Sequence, residues 1–171
     1  MKPLYGLGIA CAALLLAVAS VPLAEETTPS QPLEQWLGEW HGTGTTSGAA
    51  ARLTLKWERA LGGRFVRLTL LNEIGNEPTR QRFEGLAMYW PGVAGRVNGR
   101  WFDSQGVVHL LDGALEPDAL IAEWGDGTTA RGRSTYRLLG ADAMEVIDEI
   151  RRKDGSWSEF GRFRLERPPR A

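Results

Sequence analysis

The stretch Arg52-Leu53-Thr54-Leu55-Lys56-Trp57-Glu58 alternates polar and apolar residues without a break. A period of two is what a half-buried β-strand requires, and a helix does not have it. Working outward, no segment from Glu39 onward sustains a helical period for three turns. Turn dipeptides recur instead: Gly62-Gly63, Gly75-Asn76, Pro91-Gly92, Asn98-Gly99, Asp112-Gly113, Asp126-Gly127 and Asp154-Gly155, of which Asn98-Gly99 also fits inside a strand. Strands joined this closely pair antiparallel. The pattern predicts ten, near 39–47, 50–59, 64–74, 80–90, 95–103, 106–114, 118–125, 129–139, 143–152 and 157–167. Without crossover helices they form either a sandwich or a closed barrel. Even spacing and the removal of exposed edges favour closure. Behind Pro32, the residues Leu33, Trp36 and Leu37 recur at helical spacing up to Gly38. The expected fold is therefore all-β, a single closed antiparallel barrel of about ten strands with a short N-terminal helix plugging one end.

Composition sets the class. The 171 residues carry 20 Lys+Arg against 21 Asp+Glu, a formal charge of -1, so no basic field exists to hold nucleic acid. With 43% hydrophobic residues the chain can bury a full core. Length argues for one domain.

Lys2 precedes an uncharged stretch from Pro3 to Ala24, and Leu7 to Ala19 within it has the length of a signal-peptide core. Small residues at Ala17, Ala19 and Ser20 stand at cleavage spacing. The expected division is 1–20 as signal peptide, 21–32 as disordered linker rich in Thr, Pro, Ser and Glu, and 33–171 as barrel domain. An uncleaved anchor or a lipidated Cys11 are the alternatives. Cys11 is the single cysteine, so a mature chain has no disulfide, which suits a periplasmic or secreted protein large enough to fold without cross-links. No stable membrane insertion is expected once the signal is removed.

Gly38-Glu39-Trp40, after the helical turn and opening the first strand, resembles the Gly-x-Trp signature of lipocalins and their calycin relatives. A Trp there plugs the closed end of a barrel with a large apolar ring, and the Gly allows close approach of the preceding turn. The resemblance implies an Arg of the last strand over that ring. Arg162, Arg164 and Arg167 are the candidates, and Arg164 is the choice. The longer string Leu37 to Gly44 is similar to the opening of nitrobindin-like ten-stranded barrels and of secreted bacterial lipocalin-like proteins of unassigned activity. Leu61-Gly62-Gly63-Arg64-Phe65, Trp101-Phe102-Asp103-Ser104 and Asp154-Gly155-Ser156-Trp157 follow the order of the latter. Nitrobindin-like proteins take an axial His for haem from the C-terminal part of the barrel. Here no His follows His109, so no cofactor is expected, with haem bound through His41 or His109 as the exception to test.

The common catalytic signatures, Gly-x-Ser-x-Gly, the phosphate loop and His-Glu-x-x-His, are absent from the sequence. Two His and no mature Cys give no zinc set. The carboxylates Glu145, Asp148, Glu149, Asp154 and Glu159 stand among Arg151, Arg152 and Arg162 and read as cross-strand surface pairs. No catalytic residue and no metal ligand is therefore assigned.

The candidate site is the interior. Leu53, Leu55 and Trp57 share a face with Trp40, while Arg64-Phe65-Val66-Arg67-Leu68-Thr69-Leu70 mixes polar and apolar residues in a way a ligand cavity permits. In fatty-acid-binding barrels an interior Arg and Tyr grip a carboxylate, and Arg133 or Arg137, or Arg67 or Arg100 from another strand, resemble that arrangement with Tyr136. Trp57, Trp90, Trp101, Trp124 and Trp157 either line a pocket or fill it. The ligand-binding set is Trp57, Arg67, Trp90, Trp101 and Tyr136, with Gly38, Trp40 and Arg164 as the end motif. The expected protein is a monomer or weak homodimer that binds a small hydrophobic or amphipathic molecule. The alternatives are a haem-dependent or cofactor-free barrel enzyme, an isomerase or oxidoreductase using His41 or His109, and a filled structural barrel of the cell envelope.

Overall fold

The structure, a computed structural model, describes residues 31–126 and 130–169. The expected signal peptide and most of the expected linker lie outside the described residues. A 3-10 helix (Gln31–Trp36) precedes ten strands: β1 (Gly38–Thr46), β2 (Ala49–Ala60), β3 (Phe65–Ile74), β4 (Gln81–Pro91), β5 (Arg96–Asp103), β6 (Val108–Leu115), β7 (Ala119–Trp124), β8 (Gly132–Leu138), β9 (Ala143–Arg151) and β10 (Trp157–Glu166). Each strand pairs antiparallel with its sequence neighbours, and β1 closes on β10 with Thr43 opposite Arg164. The sheet has no free edge, as the even spacing predicts.

Trp40 is fully buried opposite Leu55 of β2. Its indole Nε1 donates to the Trp36 carbonyl at 2.8 Å, which ties the helical turn to the strand. Leu33 and Trp36 are buried in the same core. Outside it, the Glu34 carboxylate pairs with Arg59 at the end of β2, and Gln35 Nε2 donates to the Pro117 carbonyl between β6 and β7. Around Trp40 the interior is solid, with Leu53, Leu55, Trp57, Leu68, Met144, Phe163 and Leu165 almost wholly withdrawn from water. Each such side chain contributes about 1.5–3 kcal/mol.

Strand alternation carries charge outward. Arg133 meets Glu149 and Arg162 meets Glu145, each at 2.6 Å, on the outer wall. Asp112-Gly113 lies within β6 and Asn98-Gly99 within β5, and Asn98 pairs with Asp112. The expected turn at Asp112-Gly113 is thus corrected to a strand interior. Both glycines are buried, and a Cβ at Gly99 would come within 3.0 Å of Tyr89 Cδ1.

Candidate ligand-binding site

Away from Trp40 the barrel is hollow. A cavity of about 650 Å³ is lined by residues of all ten strands, including Leu53, Leu70, Phe83, Trp101, Leu111, Trp124 and Phe160. Glycines on neighbouring strands make room for its aromatic walls. A Cβ on Gly85 would fall inside the Trp101 ring, and one on Gly132 inside the Trp124 ring. Each indole therefore occupies the space that a side chain at the facing glycine would take. Phe83 stacks on Trp101 with centroids 6.3 Å apart, and His109 stacks on Trp124 at 5.6 Å. Ser47, Gln81, Arg82, Ser104 and Gln105 mark the end farther from Trp40. There Arg82 is paired with Glu84 at 2.8 Å. Asp103 accepts from the Trp101 indole and from the backbone N–H of Gln105 and Val107.

Asn72 of β3 and a group from β4, β8 and β9 form a polar part of the wall. Tyr89, Tyr136, Ser134 and Asp148 line the hollow together. Ser134 Oγ donates to Asp148 Oδ1 at 2.6 Å, and the Tyr136 phenol is influenced by both Ser134 and Tyr89. Burial pushes the Asp148 carboxyl up to about 6, the Ser134 hydroxyl opposing that rise. Burial also holds the Tyr136 and Tyr89 phenols well above the ordinary range. Asp148 has no ion-pair partner among the described residues. Its remaining accessible surface faces the hollow. On β10 the facing residue is Gly161, where a Cβ would approach Asp148 Oδ2 to 3.1 Å.

The sequence-derived residues divide. Trp101 and Tyr136 line the cavity. Trp57 does not: it is buried beneath it, stacked on Tyr89 at 5.6 Å and edge-on to Tyr136 at 5.2 Å. Arg67 and Trp90 are corrections. The inward parity of β3 belongs to Val66, Leu68, Leu70 and Asn72, which sends Arg67 outward to Glu58 at 2.6 Å. Trp90 lies next to inward Tyr89 and so faces out, edge-on to Phe65 at 5.9 Å. Trp157 is also outside, with the Arg133 guanidinium 4.4 Å above its ring. Arg100 and Arg137 take outward parity too.

Trp40 and Gly38 stand where expected, but Arg164 does not. Arg164 lies between inward Phe163 and Leu165 and is exposed. The guanidinium over Trp40 belongs to Arg167, just past the end of β10. Gly38, at φ +113°, makes room for it, since a Cβ there would meet Arg167 Nη1 at 2.6 Å. His41 is on the outer surface, 3.5 Å from Glu39, which removes it from any interior chemistry. Among the described residues no cluster of three metal-ligating side chains occurs.

Asp148 is the residue that sequence reasoning misplaced among surface pairs. Its signal was parity: Met144, Val146 and Asp148 share one face of β9, and the first two are buried.

No protein-family model and no curated protein matches the chain. Among solved structures, the S-type phycobiliprotein lyase CPES from Guillardia theta matches at a TM-score of 0.57 and 7% identity, over 81% of this chain and 90% of that one. A de novo designed fluorescence-activating β-barrel matches at 0.43 and 14% identity, over 77% and 93%. The structure of EF1p2_mFAP2b bound to DFHBI matches at 0.44 and 9% identity, over 81% and 98%. At such identities the likeness is one of fold. The chain is a closed ten-stranded antiparallel barrel around a hollow.

Proposed function

We propose that this protein binds a small hydrophobic or amphipathic molecule inside its barrel. The observation that carries the reading is the cavity of about 650 Å³, with aromatic and aliphatic walls and a few convergent polar groups. That is the size and lining typical of small-molecule sites. Affinity comes from removing apolar ligand surface from water, about 25 cal/mol per Å² before association costs. The hydroxyls of Tyr136 and Ser134 and the Asp148 carboxylate orient the guest. A hollow of this size speaks against the filled structural barrel. Export to the periplasm or beyond belongs to the same proposal and rests on the Leu7–Ala19 stretch; N-terminal sequencing of the protein from its host tests it.

Nile red, a neutral dye whose emission shifts to the blue in apolar surroundings, tests the binding. The expected result is a blue-shifted, saturable signal that Ala122→Phe, which fills the hollow from β7, removes without unfolding the barrel. Nile red left in water, or bound equally by the filled variant, would overturn the reading.

A further inference from the structure

We infer that the cavity selects an organic cation, an apolar molecule bearing a protonated amine, which docks its ammonium N–H on Asp148. The inference rests on the proposed binding function and names the class of ligand. It stands first on what the hollow contains. Asp148 is enclosed by β8, β9 and β10, accepts one hydrogen bond from Ser134, and has no cation beside it. The arginines that would hold a carboxylate guest are elsewhere. Arg67 is paired with Glu58 and Arg133 with Glu149 on the outer wall, and Arg137 with Asp118.

The other titratable or charged groups lining the hollow are Tyr89, Tyr136, His109, Asp103 and Arg82. Arg82 is taken up by Glu84, and Asp103 accepts from the Trp101 indole and two backbone amides. The imidazole face of His109 lies on Trp124. The two phenols stay neutral. A half-buried carboxylate without a counter-ion is costly, and a cationic guest supplies the missing partner.

The walls fit the same class. Trp101 and Trp124 line the cavity, and indole rings attract a cation as well as apolar carbon. Tyr136 and Ser134 add hydroxyls that accept from a second ammonium proton.

Three naphthalene probes of nearly equal shape separate the possibilities: naphthylmethylamine, naphthylmethanol and naphthoic acid, titrated calorimetrically against the full chain. At about pH 8 the amine should bind about tenfold to a hundredfold more tightly than the alcohol, the range for a charge-assisted hydrogen bond, and the acid should bind least. Asp148→Asn should bring the amine down to about the alcohol's affinity and weaken the alcohol far less than the amine. In the unsubstituted protein, amine affinity should fall as pH drops from about 8 to about 5, because Asp148 takes up a proton, while alcohol affinity changes far less. Equal binding of amine and alcohol, or an amine preference that survives Asp148→Asn, would overturn the inference and leave the cavity reading standing. If Nile red and all three probes fail to bind, both fall together.

Discussion

The Arg167 guanidinium lies over the Trp40 ring, 3.9 Å from its centroid. It sits beyond the last strand, and its nitrogens donate to the carbonyls of Ala141, Leu37 and Gln35 at 2.9, 2.6 and 2.9 Å. One side chain thereby joins the helical turn, the start of β1 and the β8–β9 connection.

Arg167→Ala should cost about 2–4 kcal/mol of stability, from lost hydrogen bonds at about 1 kcal/mol each and the cation–π contact. Arg164→Ala, on the outer wall, should cost under about 0.5 kcal/mol. Urea denaturation of the two variants checks this. Similar losses would mean that Arg167 does not hold that end together. Lys in its place cannot span three carbonyls with a planar fork and should recover little.

Asp148 sets a pH dependence with a definite sign. Its folded-state value is raised from 3.8 to about 6 by burial, so the neutral acid is the form the fold favours. The contribution to stability is full below about pH 4 and is lost as pH rises through about 6. Above that, the ionised carboxylate burdens the empty barrel by on the order of 2–3 kcal/mol. Asp148→Asn should therefore match the unsubstituted protein at about pH 4 and exceed it in midpoint at about pH 8. No gain at the higher pH would place Asp148 in water.

Closure was legible because it depends on counting. The alternation at Arg52–Glu58 and the recurring turns give ten strands, and only a closed sheet spares the edges of such a run. The site was less legible, because facing depends on parity, and parity is fixed strand by strand through pairing. In β3 the string Phe65-Val66-Arg67-Leu68 admits two facings, and only its register against β2, with Leu68 opposite Trp57, turns Arg67 out. Arg164 and Arg167 both fall in the strand expected at 157–167, and the sequence does not show that the strand ends at Glu166, which leaves Arg167 beyond it. The flat backbone at Gly38 lets the later residue curl back. Asp112-Gly113 misled for a different reason, since its glycine is there for interior space and not for a turn.

The glycines under the indoles give a further expectation. Gly132→Val would place methyl groups where the Trp124 ring now lies, driving the indole into the hollow or out of the barrel. The fold should persist with a loss of about 1–3 kcal/mol, as overpacking usually costs, while Nile red affinity falls at least tenfold and tryptophan emission shifts. Unchanged dye binding would show that the Trp124 wall does not bound the site.

The outward arginines yield the sharpest contrast with an acid-gripping barrel. Arg67 pairs with Glu58, which is also bonded to Lys56 at 2.8 Å. Both cations hold the Glu58 carboxylate below its usual range. A shared, solvated pair of this kind contributes little. Arg67→Ala should therefore leave Nile red affinity unchanged and change stability, read by urea denaturation, by under about 0.5 kcal/mol. Tyr136→Phe, which removes a hydroxyl from the hollow, should weaken binding of any hydrogen-bonding guest several-fold at little cost in volume. If Arg67→Ala were the variant that lost binding, β3 would be threaded with the opposite facing, and its pairing with β2 would have to slip by one residue.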